Sequence, residues 1–148
     1  MQLTHYTDYS LRVLIFLSLQ GDEQRITITD IAEHFSIPRN HLVKVVHRLG
    51  LLGYIETTRG KNGGIRLALP ADQISIGQVV RQMEATLDVV NCQAPSPCPI
   101  RSGCQLKSIL NLATDAFLEV LDQYTVADLN QRPRQLKKLL KWSAIMAK

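Results

Sequence analysis

No stretch of this 148-residue chain is long and apolar enough to cross a bilayer. The most apolar early run, Leu11 to Leu19, contains Arg12, follows Asp8, and falls far short of the roughly 20 apolar residues a spanning helix needs. No cationic segment precedes it and no small-residue cleavage site follows, so no secretory signal is expected and the expected location is the cytoplasm. Cysteine is scarce: three residues, an odd number, too few for a disulfide-stapled secreted scaffold. There is no internal repeat and no low-complexity tract. Nor does any nucleophile, acid–base pair or phosphate-binding loop stand in a supporting context, so no enzyme is expected.

What is present is the composition of a soluble globular protein: 45% hydrophobic residues, 20% charged, and a mean hydropathy of −0.02. The length suits one core-bearing domain with extensions. A net charge of +4 is only mildly basic, and its distribution says more than its size. Between Arg39 and Arg66 stand six bases (Arg39, Lys44, Arg48, Arg59, Lys61, Arg66) against one acid, Glu56. This local excess of five exceeds that of the whole chain. A second run, Arg132 to Lys141, holds five bases and no acid; the plain expectation for it is a solvated face.

The apolar pattern predicts an almost wholly buried helix over Asp8 to Gln20, capped by Thr7 and ended by Gly21, with a polar loop at Asp22, Glu23, Gln24 and Arg25. Thr27 and Asp30 have capping-box spacing ahead of a short amphipathic helix whose apolar face is Ile28, Ile31, Ala32 and Phe35. Ser36-Ile37-Pro38 interrupts it, because proline disfavours the helical conformation at the residue before it yet suits a new helix's first turn. A second helix over Arg39 to Leu51 buries Leu42, Val45, Val46 and Leu49 and leaves its cations outside. Two short helices across such a turn form a helix-turn-helix pattern.

Tyr54 to Thr58 and Ile65 to Leu69 are β-prone runs flanking Arg59-Gly60-Lys61-Asn62-Gly63-Gly64, a hairpin or wing. A helix is expected from Ser75 to Glu84. Asn91 to Gly103, rich in proline, is expected to be an irregular loop carrying or adjoining all three cysteines. From Gln105 to about Gln123, Leu106, Ile109, Leu110, Ala113, Phe117, Val120 and Leu121 follow helical spacing. The expected fold is mainly α with a small β-wing: a winged helix-turn-helix domain over 1–88, a cysteine loop over 89–104, a long dimerisation helix over 105–125 and a basic C-terminal extension over 126–148.

The concentration of cations in the helix-turn-helix and wing points to DNA. Arg39, Asn40 and His41 at the head of the second helix are placed to meet base edges, and Lys44 and Arg48 to touch phosphates. Arg59, Lys61 and Asn62 at the wing tip would approach the minor groove. A lone histidine such as His41 is more often a plain surface residue than a base reader. The cysteines run Cys92-x5-Cys98-x5-Cys104 beside Arg101 and Lys107, whose charges favour thiolates. Incidental buried thiols are the bland alternative. Zinc sites commonly use close cysteine pairs, absent here, whereas iron-sulfur clusters take thiolate ligands, generally four.

The opening Met1-Gln2-Leu3-Thr4 with Tyr6-Thr7-Asp8-Tyr9, the wing Arg59-Gly60-Lys61-Asn62-Gly63-Gly64-Ile65-Arg66-Leu67, Asn91-Cys92 and the three-cysteine loop resemble the winged-helix iron-sulfur repressors, the family of the cluster regulator IscR. The resemblance covers roughly the first 130 residues. It implies an iron-sulfur cluster, [4Fe-4S] or [2Fe-2S], held by Cys92, Cys98 and Cys104. In the cluster regulator a histidine three residues after the last cysteine completes the set; here that position is Lys107, and no histidine follows His47. The nitric-oxide-sensing branch takes an aspartate from the partner subunit's first helix, a position that Asp8 matches. His5 is the competing ligand, and Asp8 also has an ordinary reading as a first-turn carboxylate paired with Arg12.

These implications add up to a homodimeric DNA-binding repressor on a palindromic operator that responds to nitric oxide and controls detoxification genes. The competing expectations are a regulator of iron or cluster supply and, in a different class, an iron-sulfur electron-transfer protein, which would leave the basic segment unexplained.

Overall fold

The computed structural model describes residues 2–21, 25–61, 63–93, 95 and 97–142. Asp22, Glu23, Gln24, the wing-tip Asn62 and the end of the basic extension lie outside them.

The first helix, α1 (His5–Ser18), starts three residues earlier than its apolar pattern suggests. Thr4, not Thr7, is the cap: its backbone is extended, its Oγ1 accepts the Thr7 N–H at 3.3 Å, and its carbonyl accepts the Asp8 N–H at 3.0 Å. Thr7 is therefore an internal, fully buried residue. The helix ends at Leu19 in an ordinary right-handed turn rather than at Gly21. Its burial is as expected, with Val13, Leu14 and Phe16 wholly inaccessible.

α2 (Ile28–Phe35) opens with the capping box foreseen: Asp30 N–H donates to Thr27 Oγ1 at 3.3 Å and Thr27 N–H to Asp30 Oδ2 at 2.8 Å. It stops at Ser36, which adopts a left-handed conformation, φ 53°. The buried Ile37 plugs the turn, its N–H donating to the Ala32 carbonyl at 3.0 Å, and α3 (Arg39–Leu51) follows at once. Gly53, at φ 78°, then turns the chain into β1 (Ile55–Thr58), which pairs antiparallel with β2 (Gly64–Leu67) in the register Ile55 to Leu67 and Thr58 to Gly64. At the hairpin tip Gly60 takes φ 97°, and a Cβ on Gly63 would collide with the Thr58 carbonyl. The wing is steadied from its other edge by Ile26, whose carbonyl accepts the Ile65 N–H at 2.8 Å.

α4 (Ile76–Met83) is capped by Ser75 and leads into the irregular cysteine segment, which includes one 3-10 turn at Arg101–Gly103. α5 (Gln105–Asp122) returns along α4, and its exit is stitched to α4's entrance: Ile76 N–H donates to the Tyr124 carbonyl and Val126 N–H to that of Ile74, both at 3.0 Å. α6 (Pro133–Leu139) and Trp142 close on the outer side of α1. α1 is thus the hub, packed against α3, α4 and β2, with one apolar core running through all of them.

Candidate functional site

The exposed side of α3 carries Arg39, Asn40, His41, Lys44, His47 and Arg48. No side chain caps the helix: Pro38 occupies the cap position and its carbonyl accepts the His41 N–H at 3.0 Å, so the amides open to an anion are those of Arg39 and Asn40. Asn40 Oδ1 takes the His41 N–H at 3.0 Å, a local bond that exchanges readily on an exposed surface. Arg48 reaches sideways, its Nη2 donating to the Gln82 carbonyl of α4 at 3.4 Å. On the wing, Arg59 and Lys61 are exposed, while Arg66 spends its charge on Glu56 at 2.7 Å across the strands. Between α3 and the wing runs a cleft of about 730 Å3 lined by Val43, His47, Leu51, Thr57 and Thr58 among others. The surface therefore offers a protruding helix, a protruding hairpin and a groove between them, with acid nearly absent: the shape and charge that nucleic acid requires.

The helix that carries Asp8 holds α3 directly. Tyr6 Oη donates to the Lys44 carbonyl at 3.1 Å, and the Tyr9 ring lies 6.2 Å from that of His41, with the His5 ring stacked against it at 5.7 Å. Burial raises the Tyr6 phenol, against the lowering effect of the nearby Arg48 charge, so it remains a neutral donor. Asp8 itself points outward and forms a two-pronged pair with Arg12, Oδ2 to Nη2 at 2.9 Å and Oδ1 to Nε at 3.1 Å, with both side chains about two-fifths exposed.

Cys92, Cys98 and Cys104 are free thiols, each half-buried. The Cys98 N–H donates to the Cys92 carbonyl at 3.1 Å and the Arg101 N–H to that of Cys98 at 3.2 Å, which curls the loop on itself. Cys104 occupies the N-cap of the 18-residue α5 and makes no capping bond there. Among the described residues no three histidines, cysteines or acids are gathered into a metal site, and Asp8 is not brought to the cysteines. The donor chemistry nevertheless fits an iron-sulfur cluster: three soft, unpaired, partly shielded sulfurs on one segment, with further ligation needed from elsewhere.

A junction in the last turn of α4 was not legible in the sequence. Arg81 clasps Asp122 of α5 with two bonds, at 2.5 and 2.7 Å. Gln82 Oε1 accepts the Tyr54 hydroxyl at 2.6 Å, while its carbonyl receives Arg48. Glu84 accepts both the N–H and the hydroxyl of Thr4, the cap of α1. The root of the cysteine segment is thus bonded to α5, to α3 and the start of the wing, and to α1. Only the individual residue types were visible in the chain, not their convergence.

The fold and this surface define a winged-helix transcriptional regulator. The chain matches the Rrf2 family model, described as iron-dependent transcriptional regulators, over residues 3–132, and it belongs to that family. Proteins called HTH-type transcriptional regulator NsrR from Bacillus subtilis and Geobacillus kaustophilus are 50% and 51% identical to it, each over 143 residues covering 95% of this chain and 98% and 97% of theirs. A crystal structure of Staphylococcus aureus CymR is similar with a TM-score of 0.68 and 28% identity, covering 86% of this chain and 97% of that one. T. potens IscR shares the fold at a TM-score of 0.70 and 22% identity, covering 87% of this chain and 85% of that one.

Proposed function

We propose that this regulator is an iron-sulfur-dependent repressor which, as a homodimer, holds a palindromic DNA site and releases it in response to nitric oxide. The observation that carries the reading is the set of three free, half-buried thiols on one curled loop, the last of them at the head of a helix with an exposed apolar stripe. The name shared by the half-identical relatives supports the signal.

In this reading Cys92, Cys98 and Cys104 would hold the cluster, which would supply iron reactive toward nitric oxide. Asp8, paired with Arg12 in the single chain, would be the fourth donor, to the cluster held by the partner subunit. A hard carboxylate is the weakest donor to such a soft site, and so the first to yield. Loss of that ligation would remove one tie on α1, whose Tyr6 and Tyr9 position α3. Moving occupancy from nearly full to nearly empty takes roughly 5.5 kcal/mol, more than one ligand bond supplies, so ordering of the loop against α4 belongs to the same switch.

On the DNA, Arg39, Asn40 and His41 face base edges, Lys44 and Arg48 face phosphates, and Arg59, Lys61 and Asn62 enter the minor groove. The apolar stripe of α5 pairs the subunits: Leu106, Ile109, Leu112 and Val120 are each more than half exposed in the single chain. The units are 1–88 for DNA, 89–104 for the cluster, 105–125 for dimerisation and 126–148 for the extension.

Iron and sulfide counts on anaerobically purified protein test the ligand set. Replacing any of the three cysteines by alanine should abolish the chromophore, and Asp8→Ala should loosen it. A colourless wild type that cannot be reconstituted contradicts the proposal. The family's description as iron-dependent favours a second reading, in which iron or cluster supply is the signal. Relief of repression by iron starvation and not by nitric oxide would establish that one instead.

A further inference from the structure

We infer that α6 and the residues around it form a second DNA-contacting element, a rigid basic arm that grips phosphates flanking the site read by α3 and the wing. This rests on the DNA-binding reading of α3.

The arm is fixed in place. Leu136 and Leu140 pack against the core, and Trp142, only 5% exposed, lies with its ring 4.8 Å from that of Phe16 and has the Lys137 ammonium over it at 5.3 Å. Upstream, Asn130 Nδ2 donates to the Ser18 carbonyl at 3.2 Å, tying the approach to the end of α1. The exposed charges on it are all cationic, Arg132, Arg134, Lys138 and Lys141, with Leu139 exposed among them. Arg134 and Lys138 share one helical stripe, and among the described residues no carboxylate pairs with any of the four.

Position gives that charge a target. The ring that receives Trp142 is the ring against which α2 packs, since Phe16 also meets Phe35 at 5.8 Å and His34 at 5.4 Å. In a helix-turn-helix the first helix crosses the phosphate backbone while the second enters the groove. α2 is that first helix, and the arm is clamped beside it through one shared aromatic cluster. Four unpaired cations held there meet the phosphates just beyond the half-site, once for each subunit of a dimer. Docking in advance means little ordering entropy is lost on contact.

The experiment uses the full-length protein and a duplex that it selects from a random pool. The duplex is made at the minimal bound length and lengthened by about one helical turn at each end. The wild type should bind the longer duplex more tightly, with a steeper dependence on salt. Arg134→Gln combined with Lys138→Gln and Lys141→Gln should remove that gain. If two phosphates are released, the variant should lose about tenfold less affinity than the wild type between about 50 and about 200 mM salt. Trp142 is the single tryptophan, so its unchanged emission in the variant shows that the arm is still docked. Trp142→Ala, which frees the arm without altering its charge, should also lose most of the flanking gain. Equal gain and equal salt slope in wild type and triple variant overturn the inference; binding to neither duplex overturns the reading of α3 along with it.

Discussion

One oxygen of Glu84, Oε1, receives both the N–H of Thr4 at 2.8 Å and its hydroxyl at 3.1 Å, joining the residue that ends α4 to the residue that begins α1. The two lie 80 positions apart, and each is the root of a segment proposed to bind the cluster, Glu84 of the cysteine loop and Thr4 of the helix bearing Asp8. Glu84→Ala leaves the N-cap without this acceptor. A stability loss of about 1 kcal/mol is expected from denaturant unfolding, because the bond is charge-assisted but exposed. DNA binding by the cluster-loaded protein should weaken with it; unchanged affinity would show that the Thr4 link does not serve the reading head.

Arg81, Asp122 and Gly77 form a second joint. A Cβ on Gly77 would strike the Asp122 carboxylate, so Gly77→Ala must push Asp122 out of its bond to Arg81. The loss of denaturant stability in Gly77→Ala should shrink when Asp122→Ala is added, because the collision disappears; strict additivity would mean that the two do not communicate.

The same pair sets part of the acid response. The Arg81 hydrogen bond holds the Asp122 carboxyl below its ordinary value, and the Thr125 N–H and hydroxyl do the same for Asp128. A lowered folded-state value means that the stabilisation is complete above the ordinary carboxylate range and fades as pH falls through the depressed values, below about pH 4. Asp122→Asn combined with Asp128→Asn should be less stable at neutral pH but lose less stability on acidification. Urea midpoints measured across the acid range check the sign; a wild type whose stability rises on acidification through that window contradicts it.

Phe16 of α1 anchors two further segments at once, α2 through Phe35 and His34 and the C-terminal arm through Trp142. Phe16→Ala should destabilise the protein by about 4 kcal/mol and shift Trp142 emission to the red as its ring loses its seat. An unshifted emission spectrum would mean that Trp142 is buried elsewhere.

In the proposed DNA complex the surface would separate into contacts that specify and contacts that hold. Arg39→Ala or Asn40→Ala should relax sequence preference by about 1–3 kcal/mol at single base pairs. Arg59→Ala with Lys61→Ala should instead weaken all sequences alike and lower the salt slope. Competition binding on a panel of single-base operator variants distinguishes the two outcomes, and a uniform loss for Arg39→Ala would remove it from base readout.

Much of the architecture was legible because local chemistry dictates it. The Thr27 capping box, Pro38 at the turn, the glycines of the wing and the apolar spacing of α3, α4 and α5 all rest on interactions within a few residues. The start of α1 was misplaced because Thr7 precedes the dense apolar run, whereas Tyr6 and Tyr9 face α3 and Thr4 is already capped from Glu84, a long-range fact. The basic extension read as a solvated face; charge patterning along a chain does not show that Leu136, Leu140 and Trp142 bury the other side. The cysteine loop and Asp8 were visible as residue types, but the proposed site, shared between subunits, would have no signature in the fold of one chain.

The most direct measurement is the affinity of anaerobically purified, cluster-loaded protein for its selected duplex before and after stoichiometric nitric oxide, with iron and sulfide counted in the same samples. The proposal predicts tight binding that falls by orders of magnitude on exposure, and a much smaller response in Asp8→Ala. Full-strength binding that nitric oxide leaves untouched would contradict it.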